Sequence, residues 1–166
     1  MIPLVTVGLV FALMLVEARR SRANERALRA RGAIEPPGDV FPLMQVAYPS
    51  CFVAMGIEGW LRAAETGPWF MAGGVVFAAA KALKYWAIVT LGERWTFRVL
   101  VIPGAPLVDR GPYRFLKHPN YAAVVGELAG VALLMTAPIT GALAIVGFGW
   151  IMLRRIAIEE RALGMR

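Results

Sequence analysis

The stretch Tyr121-Ala122-Ala123-Val124-Val125-Gly126-Glu127-Leu128-Ala129-Gly130-Val131-Ala132-Leu133-Leu134-Met135 is almost wholly apolar, and beyond Thr136-Ala137-Pro138 a second apolar run continues to Leu153. Two such runs split by a turn and a proline predict two helices folded back as a tight hairpin, because proline lacks a backbone donor and is better tolerated at the start of a helix than inside one. Helices also satisfy their own backbone groups, which a bilayer demands of any segment crossing it.

Working outward, further apolar runs cover residues 2–16, 40–61 and 68–91, so about five transmembrane helices are expected. The first run barely approaches the length of a span, so it is expected to end near Glu17 or to borrow interfacial residues. No lysine or arginine precedes it and arginines follow it, the reverse of a signal peptide's charge order, so it reads as a retained first helix. With 166 residues, 58% of them hydrophobic, the chain carries too much apolar surface for a soluble domain of its size. The expected fold class is an all-α integral membrane protein, with residues 1–166 forming one membrane-embedded domain.

Of the 18 lysines and arginines, six lie between Glu17 and Asp39, five between Gly92 and Asn120, and four after Leu153. The positive-inside rule then places these three groups in the cytoplasm and the N-terminus outside. Topology thus explains the net charge of +7, and the cations form no aromatic-interleaved patch of the kind that would bind nucleic acid. Cys51 has no partner for a disulfide and is expected to act as a small buried hydrophobe, and no metal-ligand spacing occurs. Gly73-Gly74 and Gly56 with Gly59 are expected to permit close helix contacts.

Four charges fall within or at the edges of the predicted spans: Glu58, Lys81, Lys84 and Glu127. Each costs on the order of 3 kcal/mol on insertion scales unless paired or wetted. Lys81 and Lys84 share a helix face and are expected to point into the bundle or to snorkel towards its cytoplasmic end. Glu127 is expected to pair with a lysine or to line a cavity.

The only histidine, His118, stands between turn formers and two tyrosines in the stretch Leu107-Val108-Asp109-Arg110-Gly111-Pro112-Tyr113-Arg114-Phe115-Leu116-Lys117-His118-Pro119-Asn120-Tyr121. Arg154, Arg155, Glu159 and Glu160 cluster at the end of the last helix, where the spacing of Arg155 and Glu159 by itself reads as a surface ion pair. Folding back at Pro138 returns this cluster to the level of His118. An imidazole, two phenols, arginines and two carboxylates then share one region, which suits a zwitterionic ligand carrying ribose hydroxyls.

These elements resemble the signature of the isoprenylcysteine carboxyl methyltransferase family: Leu107-Val108, Gly111, Pro112-Tyr113 and His118-Pro119-Asn120-Tyr121, then Arg155 and Glu159-Glu160 after the hairpin. A finer resemblance is to bacterial members that O-methylate alkylpyrones or phenolic lipids alongside type III polyketide synthases. It rests on Asn24-Glu25, Arg29-Ala30-Arg31-Gly32-Ala33, Ala82-Leu83-Lys84-Tyr85-Trp86 and the segment from Leu91-Gly92 through Pro103-Gly104-Ala105-Pro106-Leu107-Val108. Lys117 stands where the family often has arginine.

The resemblance implies a bacterial inner-membrane enzyme that transfers a methyl group from S-adenosylmethionine to an oxygen of a lipid, with a cytoplasmic active site. It implies that Pro106, Leu107, Val108, Tyr113, His118, Pro119, Asn120, Tyr121, Glu159 and Glu160 surround the cofactor, while Arg155 faces the acceptor. Lys84 is a further candidate for the acceptor and Glu127 a candidate base. No metal and no nucleic acid is expected, and a type III polyketide synthase is a candidate partner. Two alternatives stay open: an NADPH-dependent sterol-type membrane reductase, which has a similar His-Pro-Asn-Tyr element, and a non-enzymatic membrane adaptor.

Overall fold

The computed structural model describes residues 1–165. Five α-helices follow one another: α1 (Ile2–Ala30), α2 (Phe41–Leu61), α3 (Pro68–Leu91), α4 (Pro119–Leu134) and α5 (Pro138–Ala162), with short 3-10 turns at Gly92–Arg94 and Gly111–Arg114. Each of the five begins with a proline in its first turn, where a missing N–H costs nothing and the fixed φ favours the helix. Helix α1, helix α3 with the turn after it, and helix α5 are each long and apolar enough to cross a membrane, and α4 is a shorter apolar helix. The chain is an all-helical membrane protein, and no strand forms among the described residues.

The hairpin forms where Thr136-Ala137-Pro138 predicts it. Thr136 turns the chain with φ 51°, and Glu58 of α2 reaches across to the exposed start of α5. Its carboxylate accepts hydrogen bonds from the backbone N–H of Ile139 (3.2 Å) and of Thr140 (2.7 Å), and pairs with Arg62 at 2.8 Å. One of the four charges misplaced in an apolar span is therefore the cap of another helix.

Two helices outrun their apolar segments. Helix α1 does not end at Glu17 but continues to Ala30, with Glu17 only 2% exposed. Arginine, alanine and glutamate are good helix formers and no breaker occurs until Gly32, so charge ends the span without ending the helix. Helix α5 likewise passes Leu153 and carries Arg155, Glu159 and Glu160 on its last turns.

The tightest packing is between α3 and α4, at glycines. A Cβ on Gly73 would stand 2.5 Å from Leu134 N, and one on Gly130 would stand 2.7 Å from Phe77 N. Gly56 against Val7 and Gly59 against Met135 make similar close approaches, whereas Gly74 has nothing nearer than 3.9 Å and is not needed for packing. Cys51 is partly buried beside the core that Phe52, Met55, Leu128 and Val131 build.

At one end of the bundle the loop after α1 and the segment after α3 are tied together. Ile34 and Val101 exchange backbone hydrogen bonds of 2.8 and 3.0 Å. Asn24 of α1 donates to the carbonyls of Gly92 (3.1 Å) and Trp95 (2.7 Å), and Ser21 accepts from Phe97 N at 2.8 Å. Burial alone would raise the Glu35 carboxyl, but hydrogen bonds from Arg29 and Arg98 outweigh it and hold the group below its usual 4.5, so it stays ionised as a clasp between the two segments. The three arginine-rich regions identified in the sequence all meet at this end.

Candidate functional site

A cavity of about 720 Å³ opens at the tied end and runs inward between the helices. At its outer part Pro106, Leu107, Val108, Tyr113, His118, Asn120, Tyr121, Arg155 and Glu159 form the wall. Deeper in, Lys84, Glu17, Tyr48 and Phe148 line it, and its apolar reach is bounded by Phe11, Leu15, Met44 and Pro49. Phe11 and Leu15 are also exposed on the outer surface of α1. Pro119, Glu127 and Glu160 are not part of the wall.

The hairpin brings the ends of α4 and α5 into direct contact through side chains. The Tyr121 hydroxyl donates to Glu159 Oε2 at 2.6 Å and accepts from Arg155 Nε at 2.8 Å. At the next residue of α5, Glu160 Oε1 lies 3.0 Å from both His118 Nε2 and Lys117 Nζ. Glu160 therefore braces the imidazole from outside the cavity, while Glu159 faces in. Burial, with the nearby Glu159 carboxylate adding to it, pushes the Tyr113 phenol above its ordinary value, so it is a neutral hydroxyl at pH 7.

Arg155 and Glu159 do not form the ion pair that their spacing predicts. The guanidinium instead donates from Nη1 to Asp39 Oδ1 at 2.9 Å, and both side chains are almost fully buried. A buried charge needs a close, desolvated partner, and the loop before α2 supplies one that intrahelical geometry does not. Glu159 is left with the Tyr121 hydroxyl as its hydrogen-bond partner and no cation at ion-pair distance among the described residues.

The remaining charges in the spans make one buried cluster. Lys81 Nζ lies 2.8 Å from Glu17 and 3.1 Å from Glu127; Lys84 Nζ lies 2.7 Å from Glu17 and 3.2 Å from Glu127. The Tyr48 hydroxyl donates to Glu127 Oε2 at 2.5 Å. Both ammonium groups sit within ion-pair distance of Glu127 Oε1, yet neither is aligned to hydrogen-bond it. Two lysines and two glutamates cancel, so the cluster is neutral. Lys84 is directed inward and does not snorkel, being only 3% exposed. It reaches the cavity wall with its charge already engaged by two carboxylates.

Three wall or bracing residues escape a motif-based reading. Asp39 looks like an ordinary turn residue before α2, and it does accept from Phe41 N at 3.1 Å. Trp95 donates from its indole to Asn120 Oδ1 at 3.2 Å, and Arg94 donates to the Pro106 carbonyl at 2.6 Å, fixing the strip that leads to Val108. Each acts across a long sequence separation, which local patterns do not encode. Among the described residues no group of three or more His, Cys, Asp or Glu side chains is arranged to hold a metal ion.

The chain is 31% identical over 159 residues to YpbQ, an uncharacterized protein of Bacillus subtilis (strain 168), covering 93% of this chain and 95% of the relative. It is 25% identical over 160 residues to an uncharacterized protein of Haemophilus influenzae, covering 96% of this chain and 93% of that one. No solved structure matches the chain. Residues 72–165 match the isoprenylcysteine carboxyl methyltransferase (ICMT) family, and these residues include both halves of the hairpin and every member of the Tyr121–Arg155–Glu159 contact. The chain belongs to the isoprenylcysteine carboxyl methyltransferase family, and that membership supports a membrane methyltransferase.

Proposed function

We propose that this protein transfers a methyl group from S-adenosylmethionine to an oxygen of a membrane-dissolved lipid. The observation that carries the reading is the Glu159 carboxylate: it faces the cavity, is held by the Tyr121 hydroxyl, and has no cation beside it among the described residues. A carboxylate so placed can accept hydrogen bonds from a positively charged ligand and offset its charge. Family members are generally S-adenosylmethionine-dependent, and the residues present suit that molecule. Glu159, Tyr121, Tyr113, His118, Asn120 and the Pro106–Leu107–Val108 strip would hold it, with Pro119 and Glu160 positioning the imidazole. When bound, S-adenosylmethionine supplies a methyl group on a positively charged sulfur, which passes to the acceptor oxygen as the carbon–sulfur bond breaks.

The protein's own part is positioning, orientation of the acceptor and exclusion of water. Arg155 keeps guanidinium donors near the cavity and is the group that would orient an acceptor oxygen. The apolar reach past Met44 and Pro49 suits the alkyl or prenyl chain of an isoprenylcysteine, alkylpyrone or alkylresorcinol. A phenol, with a pKa of about 10 by analogy with tyrosine, benefits from a base or a nearby cation, whereas a carboxylate or an acidic hydroxypyrone needs neither. Glu127, the candidate base, is engaged by Lys81, Lys84 and Tyr48 and stands outside the wall. The site therefore favours acceptors that are already ionised at neutral pH.

The arginine-rich end is assigned to the cytoplasm and the N-terminus to the opposite side of a bacterial inner membrane, in keeping with the charge distribution. A type III polyketide synthase is proposed as the source of the acceptor on the finer sequence resemblance alone. Calorimetry on the detergent-purified protein tests the reading: S-adenosylhomocysteine should bind. Binding of NADPH without either S-adenosyl ligand would overturn it in favour of a reductase.

A further inference from the structure

Asp39 lies in the loop before α2, far in sequence from every residue of the family motifs, yet its carboxylate is 4% exposed and joins three parts of the fold. Oδ1 accepts from Arg155 Nη1 at 2.9 Å and from Phe41 N at 3.1 Å, and Oδ2 accepts from Val99 N at 2.9 Å. The local turn into α2 requires only the bond to Phe41 N, which asparagine or serine would make equally well. The bond to Arg155 is different, because it fixes the guanidinium at Nη1 while Nε points to the Tyr121 hydroxyl that in turn holds Glu159. It also cancels the Arg155 charge, two hydrogen bonds away from Glu159, the wall carboxylate with no cation at ion-pair distance among the described residues.

We infer that Asp39 is a positioning and charge-balancing residue of the methyl-transfer site, holding Arg155 in register and keeping its positive charge from opposing a sulfonium held near Glu159. The inference rests on the methyltransferase reading and adds a residue from the loop between α1 and α2 to the site. Without the Asp39 charge, the guanidinium would stand as a buried cation with no ion-pair partner among the described residues, close to the Glu159 wall that would face a cationic ligand. Like charges in a poorly solvated cavity repel over this range, so the cost falls on ligands carrying the sulfonium and spares those that lack it.

The test compares two ligands that differ by one methyl group and one charge. In Asp39→Asn, which keeps the size and the turn acceptor, S-adenosylmethionine affinity should fall by about tenfold while S-adenosylhomocysteine affinity changes by less than about threefold. Asp39→Asn combined with Arg155→Gln, which removes both charges, should restore S-adenosylmethionine affinity to within about threefold of the unmodified protein. Equal losses for the two ligands, or no recovery in the double variant, would reduce Asp39 to a structural turn residue. Arg155→Gln alone supplies a second reading if Asp39→Asn does not fold: the stranded Asp39 carboxylate should shift the affinity ratio towards S-adenosylmethionine, and an unchanged ratio sinks the inference. Unmodified protein that binds neither ligand would instead overturn the methyltransferase reading itself, so the two failures are distinct.

Discussion

Tyr121 and Glu159 join the first turn of α4 to the last turns of α5 through a 2.6 Å hydrogen bond between residues 38 apart in sequence. The contact exists because the hairpin at Thr136–Pro138 makes two antiparallel helices whose far ends must meet. Removing the hydroxyl by Tyr121→Phe leaves Glu159 without its donor and Arg155 Nε without its acceptor. A hydrogen bond to a charged group contributes about 1.5 to 3 kcal/mol, so S-adenosylhomocysteine should bind roughly 10- to 100-fold more weakly by calorimetry. An unchanged dissociation constant would place the phenol outside the cofactor's contacts.

The sequence announces the hairpin, five helices and the meeting of the two polar motifs, because each rests on local signals: apolar run length, proline position and arginine clusters. Helix lengths are less legible, since Glu17 and Arg154 end apolar runs without breaking helices. The ion-pair partners are hardest to read. Spacing pairs Arg155 with Glu159, but burial selects Asp39. Charge in an apolar run signals that Lys81, Lys84 and Glu127 need partners, while Glu17, at the end of its own run, gives no sign that it joins them.

The glycines offer a paired test of packing. At Gly73 a Cβ would meet the backbone of Leu134 at 2.5 Å and of Gly130 at 2.7 Å, and backbone cannot move aside as a flexible side chain can. Gly73→Ala should lower stability by about 1 to 3 kcal/mol, read as a fall in the thermal midpoint in detergent. Gly74→Ala, with 3.9 Å of clearance, should be neutral or raise stability by up to about 1 kcal/mol, the helix-propensity difference. Equal effects at the two positions would contradict the close approach of α3 and α4.

Lys84 is expected to act on stability before it acts on the acceptor. Lys84→Ala leaves Glu17 and Glu127 with a single ammonium between them in a buried cluster, and stranding a buried charge costs about 3 to 5 kcal/mol. The midpoint of chemical denaturation should fall accordingly while S-adenosylhomocysteine affinity in the folded fraction is retained. A normal midpoint with a raised KM for the acceptor would show that Lys84 serves the substrate instead.

Topology can be read by labelling single cysteines in a Cys51→Ala background. Arg22→Cys and Arg161→Cys are exposed positions on α1 and α5 at the arginine-rich end. Both should react with an impermeant reagent only after the cytoplasmic face of the membrane is opened to it. Reaction of the two from opposite faces would separate the ends of α1 and α5 and disperse the site.

Arg155 is where binding of the cofactor and handling of the acceptor should come apart. It sits one helical turn before Glu159 on α5, deeper towards the apolar part of the cavity, and touches Glu159 only through Tyr121. Arg155→Ala should reduce methylation of an alkylpyrone by about two orders of magnitude, the scale of losing one oxyanion donor, with little change in S-adenosylhomocysteine affinity. Arg155→Lys should recover part of that loss, since it keeps the charge without the planar fork that now spans Tyr121 and Asp39. Because Arg155→Ala alone strands the Asp39 carboxylate, its stability must be separated from its chemistry. The pair Asp39→Asn with Arg155→Ala strands no charge, so its thermal midpoint should exceed that of Arg155→Ala while turnover stays low. Recovery of turnover together with the midpoint would mean that Arg155 matters only for folding, and the acceptor's oxygen would then have to be held by another group on the cavity wall.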